Sequence, residues 1–195
     1  MKLPEYEYNA LFRPTAKSQV NAAVGTNGGP YSFRDYATGF FVAGHHIFKR
    51  VLKEPRYVDV IVYPMAFNYR HGIELYLKSL LLHSLAALEQ PPTMQKSHGI
   101  LDNWDSLKEK IAHLDDRIFQ PKQEIEAVER VLRDFCQIDP TGQTFRYPED
   151  FKGNQHLLKQ DLISLEVLYK AMKALQKVFD KWSDGISEVY AANPL

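Results

Sequence analysis

Between Pro64 and the Pro91–Pro92 pair runs an uninterrupted stretch, Met65–Glu89, that most constrains how this chain folds. It contains no proline, which helix interiors exclude, and it is rich in leucine, which they favour. On a helical wheel turning about 100° per residue, Arg70, Glu74, Lys78 and His71 fall within an arc of about 100°. Phe67, Leu81, Leu82 and Leu85 share that arc. The next sector holds Tyr69, Ile73, Leu77 and Leu80, and the opposite side holds Asn68, Gly72, Ser79 and His83, which are smaller or more polar. The charged residues therefore stand among bulky apolar neighbours, not on an evident wet face.

Charges in such company cost several kcal/mol each unless paired. Arg70–Glu74 and Glu74–Lys78 are both i, i+4 pairs, so Glu74 can bridge two cations. Two readings follow. In one, the charges form an ion ladder that fixes the helix register. In the other, they form a polar site between helices, with Arg70 and Lys78 facing an anionic ligand and His71 near it. The planar fork of Arg suits phosphate, and His moves protons near neutral pH.

The remaining segments also read as helices. Met1–Tyr31 holds Pro4, Pro14 and Pro30 and the Gly25–Thr26–Asn27–Gly28–Gly29 segment, and is expected to be an irregular arm. Its glycines lack the Lys and Ser/Thr ending of a phosphate-binding loop and read as a turn. Ser32 and Asp35 have capping-box spacing, and a first helix runs through Phe40, Phe41, His45 and Phe48 to a stop before Pro55. His45 and His46 are adjacent and point about 100° apart on a helix, an arrangement that favours a structural role over shared metal ligation. Tyr57–Tyr63 is β-branched and finds no second strand to pair with. It reads as a helical or extended lead-in to Pro64, which suits a first turn.

Ser97 is the expected N-cap of a third helix reaching Leu114, with Leu101, Trp104, Leu107 and Ile111 on one side. A fourth spans Lys122–Gln137, with Ile125, Val128, Leu132 and Phe135 on one face. Ile138–Gly153, with Pro140, Gly142, Pro148 and Gly153, reads as a structured loop. The last helix is expected from about Asn154 to Trp182, and on toward Tyr190, on the seam Leu158, Leu165, Leu168, Met172, Leu175, Phe179 and Trp182. The expectation is an all-α antiparallel bundle of about five helices: residues 1–31 as arm and 32–195 as one domain.

Composition narrows function. Lys+Arg and Asp+Glu both number 24, which speaks against generic polyanion binding while leaving room for a local basic cleft. The only cysteine, Cys136, has no internal disulfide partner, so a reducing, cytoplasmic setting is expected. No metal site and no cofactor are expected. Cys136 closes an amphipathic run and reads as packing, not as a nucleophile. Met1–Asn9 is polar, carries Glu5 and Glu7, and does not read as a signal peptide. The longest apolar stretch, Gly72–Leu88, is interrupted by Glu74, Lys78 and His83, so no membrane span is expected.

The run Tyr63-Pro64-Met65-Ala66-Phe67-Asn68-Tyr69-Arg70-His71-Gly72-Ile73-Glu74-Leu75-Tyr76-Leu77-Lys78 resembles the signature helix of HEPN-like (higher eukaryotes and prokaryotes nucleotide-binding) bacterial proteins. Ser97-His98-Gly99-Ile100-Leu101, followed by Trp104 and Leu107, resembles a His-x-x-Leu helix start of that family. Phe145-Arg146-Tyr147-Pro148-Glu149-Asp150, with Gly153, resembles the loop before its last helix. Together these pieces cover roughly residues 60 to 180.

The resemblance implies a bundle that commonly forms a homodimer, with polar residues of two subunits lining a shared cleft. Many members cut RNA; others are inactive binding or partner domains in toxin–antitoxin and phage-defence systems. The ribonuclease branch carries an Arg followed by His after four to six intervening residues, and no Arg–His pair of this chain has that spacing. The favoured expectation is a module that binds RNA, a nucleotide or a cognate partner protein. One alternative is a metal-independent ribonuclease. Its variant site would use His71 and His98 as catalytic groups, with Arg70, Glu74, Lys78 and Arg146 as anion-binding or network residues; a His would take the 2′-hydroxyl proton and cations would stabilise the phosphorane. The other alternative is a purely structural helical adaptor. His98 has a simpler option, a bond from the helix start to a backbone carbonyl or to Glu74, and Arg146 has the simpler role of anchoring its loop.

Overall fold

The computed structural model describes residues 11–29, 31–93 and 97–191. The expectations for Met1–Asn9, Pro30 and the chain end after Ala191 lie outside the described residues. The chain divides into two units, Met1–Tyr31 and Ser32–Leu195. Within the first, the described part is irregular apart from a short 3-10 turn at Ser18–Val20. Thr15 and Asn21 tie it together: the Asn21 side-chain amide donates to the Thr15 carbonyl at 2.7 Å and its oxygen accepts from the Thr15 amide at 2.9 Å. Gly25 and Gly28 both have positive φ, as turn glycines do.

The second unit is an all-α bundle with five α-helices among the described residues: α1 (Phe33–Lys53), α2 (Val58–Ala87), α3 (Ile100–Ile111), α4 (Gln123–Ile138) and α5 (Leu165–Ala191). No strand occurs among the described residues; one isolated bridge joins Glu149 and Gln155. No described helix is long and apolar enough to cross a membrane.

α1 begins where its capping box places it. The Ser32 hydroxyl accepts from the Asp35 amide at 3.2 Å and the Asp35 carboxylate accepts from the Ser32 amide at 2.6 Å. Its buried face is Ala37, Phe41, Gly44, Phe48 and Val51, spaced by three and four. It runs antiparallel to α2, so Thr38 meets Tyr76 and His45 meets Tyr69. Two glycines let the helices approach. A β-carbon on Gly44 would stand 2.6 Å from the Tyr69 ring, and one on Gly72 would stand 2.6 Å from the Phe41 ring. Each helix thus offers a notch to an aromatic ring of the other.

α2 is the central element, packed against α1, α3 and α5 and buried on nearly its whole circumference from Met65 to Leu81. The side of the wheel holding Gly72 and Ser79 is therefore buried too, because α1 covers it. Pro64 does not sit in a first turn. The helix starts at Val58 and runs through Pro64, which is exposed. Omitting one backbone hydrogen bond costs least where water can reach the freed carbonyl. The preceding β-branched run Val58–Val62 is helical, since no strand is available to pair with it.

α3 and α4 bury the faces their spacing marks: Trp104, Leu107 and Ile111 on one, Val128, Leu132 and Phe135 on the other. Ser97 is not the N-cap of α3; Gly99 is. The Ser97 hydroxyl accepts from the Gly99 amide at 3.0 Å and donates to Asp102 at 2.5 Å, bracing the approach to the helix.

The main departure is the start of α5, at Leu165 and not near Asn154. Asp150 organises the intervening chain as an Asx turn, accepting from the amides of Lys152 (2.8 Å) and Asn154 (2.9 Å). Gly153 and Leu157 have positive φ, which helices exclude. Leu158 consequently leaves the seam and is exposed, whereas Leu165, Met172, Leu175, Phe179 and Trp182 are buried in it. Ser164 starts the helix: its hydroxyl accepts from the Val167 amide at 3.3 Å.

Candidate functional site

The i, i+4 ladder of α2 is realised and lies inside the bundle. Arg70 Nη1 donates to Glu74 Oε2 at 3.1 Å, and Lys78 Nζ donates to Glu74 Oε1 at 2.7 Å. Arg70, Glu74 and Lys78 are all buried. Two further segments close over them. From the start of α3, the His98 carbonyl accepts from Arg70 Nη2 at 2.9 Å, and His98 Nδ1 lies 2.9 Å from Glu74 Oε1. From the end of α4, the Asp139 carboxylate, only 1% exposed, stands 3.6 Å from Arg70 Nε.

Arg70 and Lys78 thus face the Glu74 and Asp139 carboxylates, with His98 as a third partner of Glu74. Burial pushes the Glu74 carboxyl up, but hydrogen bonds and charge from Lys78 and His98 outweigh it and hold the group below its ordinary value. It is ionised at neutral pH, as the bridge requires.

The turn after Asp139 completes the enclosure. Gly142 has φ of +79°, and a β-carbon there would stand 2.9 Å from the Arg70 guanidinium carbon. The second oxygen of Asp139 accepts from the Thr144 amide at 3.1 Å, and the Thr144 hydroxyl donates to the Ile138 carbonyl at 3.2 Å. Phe145 then enters the core edge-on to Phe135, their centroids 6.3 Å apart. The buried ions of α2 therefore hold in place the turn that presents Arg146 and Tyr147 to solvent.

Four of the six sequence-selected residues, Arg70, Glu74, Lys78 and His98, come together in this network. The His98 ring is mostly outside it, at 79% exposure, and touches it only through Nδ1. His71 and Arg146 stand apart from it and meet at Phe67. The His71 ring lies parallel to Phe67 at 6.0 Å and edge-on to Phe40 at 4.5 Å. It is half-buried, and burial lowers its pKa, so it is neutral at pH 7. Among the described residues its ring nitrogens have no hydrogen-bond partner. Arg146 is exposed, 5.9 Å from the Phe67 ring centre and 5.1 Å from that of Tyr147, and donates to the Tyr147 hydroxyl at 3.1 Å.

Asp139, Gly142 and Thr144 are members of the network that sequence reading did not select. A faint local signal exists, since Asp-Pro-Thr-Gly is turn chemistry, but nothing local ties that turn to Arg70. A second polar cluster also went unselected, joining α1, α2 and α5. His45 Nδ1 lies 2.8 Å from the Tyr69 hydroxyl and its Nε2 lies 3.0 Å from the Gln176 side-chain oxygen. Tyr76 donates to Asp180 at 2.9 Å, and Arg34 pairs with Asp180 and Asp184. His45 is thus engaged in a core contact while His46 is exposed.

Two concavities border these elements. An apolar groove of about 390 Å³ lies between α4 and α5, with Val131, Phe135, Ile138, Leu168 and Met172 among its walls. A second, of about 430 Å³, is formed by Tyr63, Pro64, Phe67, Phe145, Arg146 and Tyr147. Among the described residues no cluster of three or more His, Cys, Asp or Glu is arranged to hold a metal ion. Compared with family models, curated proteins and solved structures, the chain shows no match.

Proposed function

We propose that this chain is a HEPN-like helical binding module, working in the cytoplasm as a homodimer in a bacterial defence or toxin–antitoxin system. In this reading it holds RNA, a nucleotide or a partner protein and does not cut RNA. One observation carries the reading: the Arg70 guanidinium is enclosed by Glu74, the His98 carbonyl, Asp139 and Gly142. It is not free to stabilise a developing phosphorane, and the Arg–His spacing of the ribonuclease branch is missing from the sequence. The lone free cysteine fits a reducing compartment. The open apolar groove between α4 and α5, beside the exposed Leu162 and Val167, is the kind of surface a dimer would bury.

The ribonuclease reading has one observation in its favour. His98 sits with Nδ1 against the buried Glu74 carboxylate, an arrangement that orients an imidazole as a general base. Incubating the purified chain with a broad panel of RNAs, without divalent metal, separates the two. The binding-module reading expects intact RNA; cleavage lost in His98→Ala would establish the other.

A further inference from the structure

The geometry points to the cleft between the first half of α2 and the Phe145–Tyr147 turn as a site for an unpaired nucleobase bearing a phosphate, whether on single-stranded RNA or as a free nucleotide. This rests on the binding-module reading and gives it a place and a ligand. Tyr63 and Tyr147 are each nearly half exposed on opposite walls, Pro64 and Phe67 line the α2 side, and Phe145 anchors the turn in the core. In this cleft of about 430 Å³ Arg146 already lies over the Phe67 and Tyr147 rings and His71 against Phe67, so the exposed Tyr63 is the ring available for stacking, which every base can use.

Charge decides among occupants. Arg146 is exposed and, among the described residues, its guanidinium makes no ion pair with a carboxylate and hydrogen-bonds to the Tyr147 hydroxyl alone. It lies over the Phe67 and Tyr147 rings and so places a cation in the same cleft as the exposed Tyr63 ring, the combination that single-stranded nucleic acid uses. A proline-rich peptide would also fit aromatic walls, but it would leave Arg146 without a counter-charge. The cleft is preformed, because the Asp139–Thr144 hydrogen bonds and the Arg70–Gly142 contact fix the turn from below. Arg70 is in this sense a positioning residue, acting through the turn.

The test uses the full chain and three surface variants, Tyr63→Ala, Arg146→Ala and Tyr147→Ala, each checked for an unchanged melting curve. Affinity is read by fluorescence anisotropy with labelled single-stranded oligoribonucleotides, the same sequences as duplex, and a labelled proline-rich peptide. Free adenosine monophosphate is titrated by calorimetry. The wild type is expected to bind single strands better than duplex. Each variant is expected to lose about tenfold or more in affinity, and Arg146→Ala is also expected to flatten the salt dependence by about one phosphate contact. Binding of the monophosphate without the oligomer identifies a free nucleotide as the source, and the reverse identifies RNA. Binding of neither, or binding of the peptide alone, overturns the proposal. If the wild type binds RNA and all three variants bind it equally well, the cleft is overturned while the binding-module reading stands. If RNA is cut in the same reactions, that reading falls irrespective of the cleft.

Discussion

Gly142 lies against the guanidinium of Arg70 so closely that a β-carbon at position 142 would stand 2.9 Å from the Arg70 Cζ, and its own φ is +79°. The glycine is therefore required twice, for backbone conformation and for space. Gly142→Ala is expected to cost about 1–3 kcal/mol in urea unfolding. A cost within about 0.5 kcal/mol, the range of an ordinary surface change, would show that the turn is not pressed onto the ion network.

Glu74 bridges two buried cations, so its removal leaves Lys78 without a carboxylate partner and Arg70 with Asp139 alone. Glu74→Ala is expected to destabilise the fold by about 3–5 kcal/mol, measured by chemical denaturation. The surface pair Lys170–Glu166 provides the contrast: Glu166→Ala should leave the unfolding midpoint nearly unchanged. Equal effects at the two sites would mean that the network is more open to water than its geometry indicates.

The α1–α2 contact depends on two notches. Gly44→Ala and Gly72→Ala would each push a methyl group into a ring of the facing helix. Overpacking of this kind costs about 1–3 kcal/mol. Because α1 interior positions otherwise favour Ala over Gly by roughly 1 kcal/mol, a stabilised Gly44→Ala variant would mean that α1 and α2 sit farther apart than described.

Acid stability follows from the histidines. Burial lowers the pKa of His45, His71 and His83 below the ordinary 6.5. The unfolded chain then binds more protons than the folded one as pH falls below 6.5, so the contribution of these groups is full above that value and is lost as pH falls through their folded pKa values. Glu74, held below its ordinary 4.5, adds a second loss at lower pH. Unfolding free energies measured between about pH 8 and pH 2 should decline in that order. His45→Gln, His71→Gln and His83→Gln combined should flatten the first phase and leave the second; a profile unchanged by the triple variant would contradict the assignment.

Much of this architecture was legible because its signals are local. Ser32 and Asp35 cap α1 from three residues apart, and Arg70, Glu74 and Lys78 pair from four apart on the same face. What was not legible depends on contacts between distant segments. Asp139 reaches Arg70 from another helix end, and no periodicity links the two positions. His45 and Gln176 meet only because α1 and α5 pack together. Leu158 keeps the seven-residue spacing of the seam and predicts an earlier start for α5, but the Asx turn at Asp150 and the left-handed backbone at Gly153 and Leu157 override it. Proline prefers a first turn, but α2 starts at Val58 and carries Pro64 on an exposed side.

The central claim, that the buried charges of α2 hold the turn presenting Arg146 and Tyr147, is tested most directly by a double-mutant cycle on Arg70→Ala and Asp139→Ala, with unfolding free energy as the readout. A coupling of about 1–3 kcal/mol between the two substitutions is predicted. Effects that add to within about 0.5 kcal/mol would contradict the claim, because Arg70 and the turn would then be energetically independent.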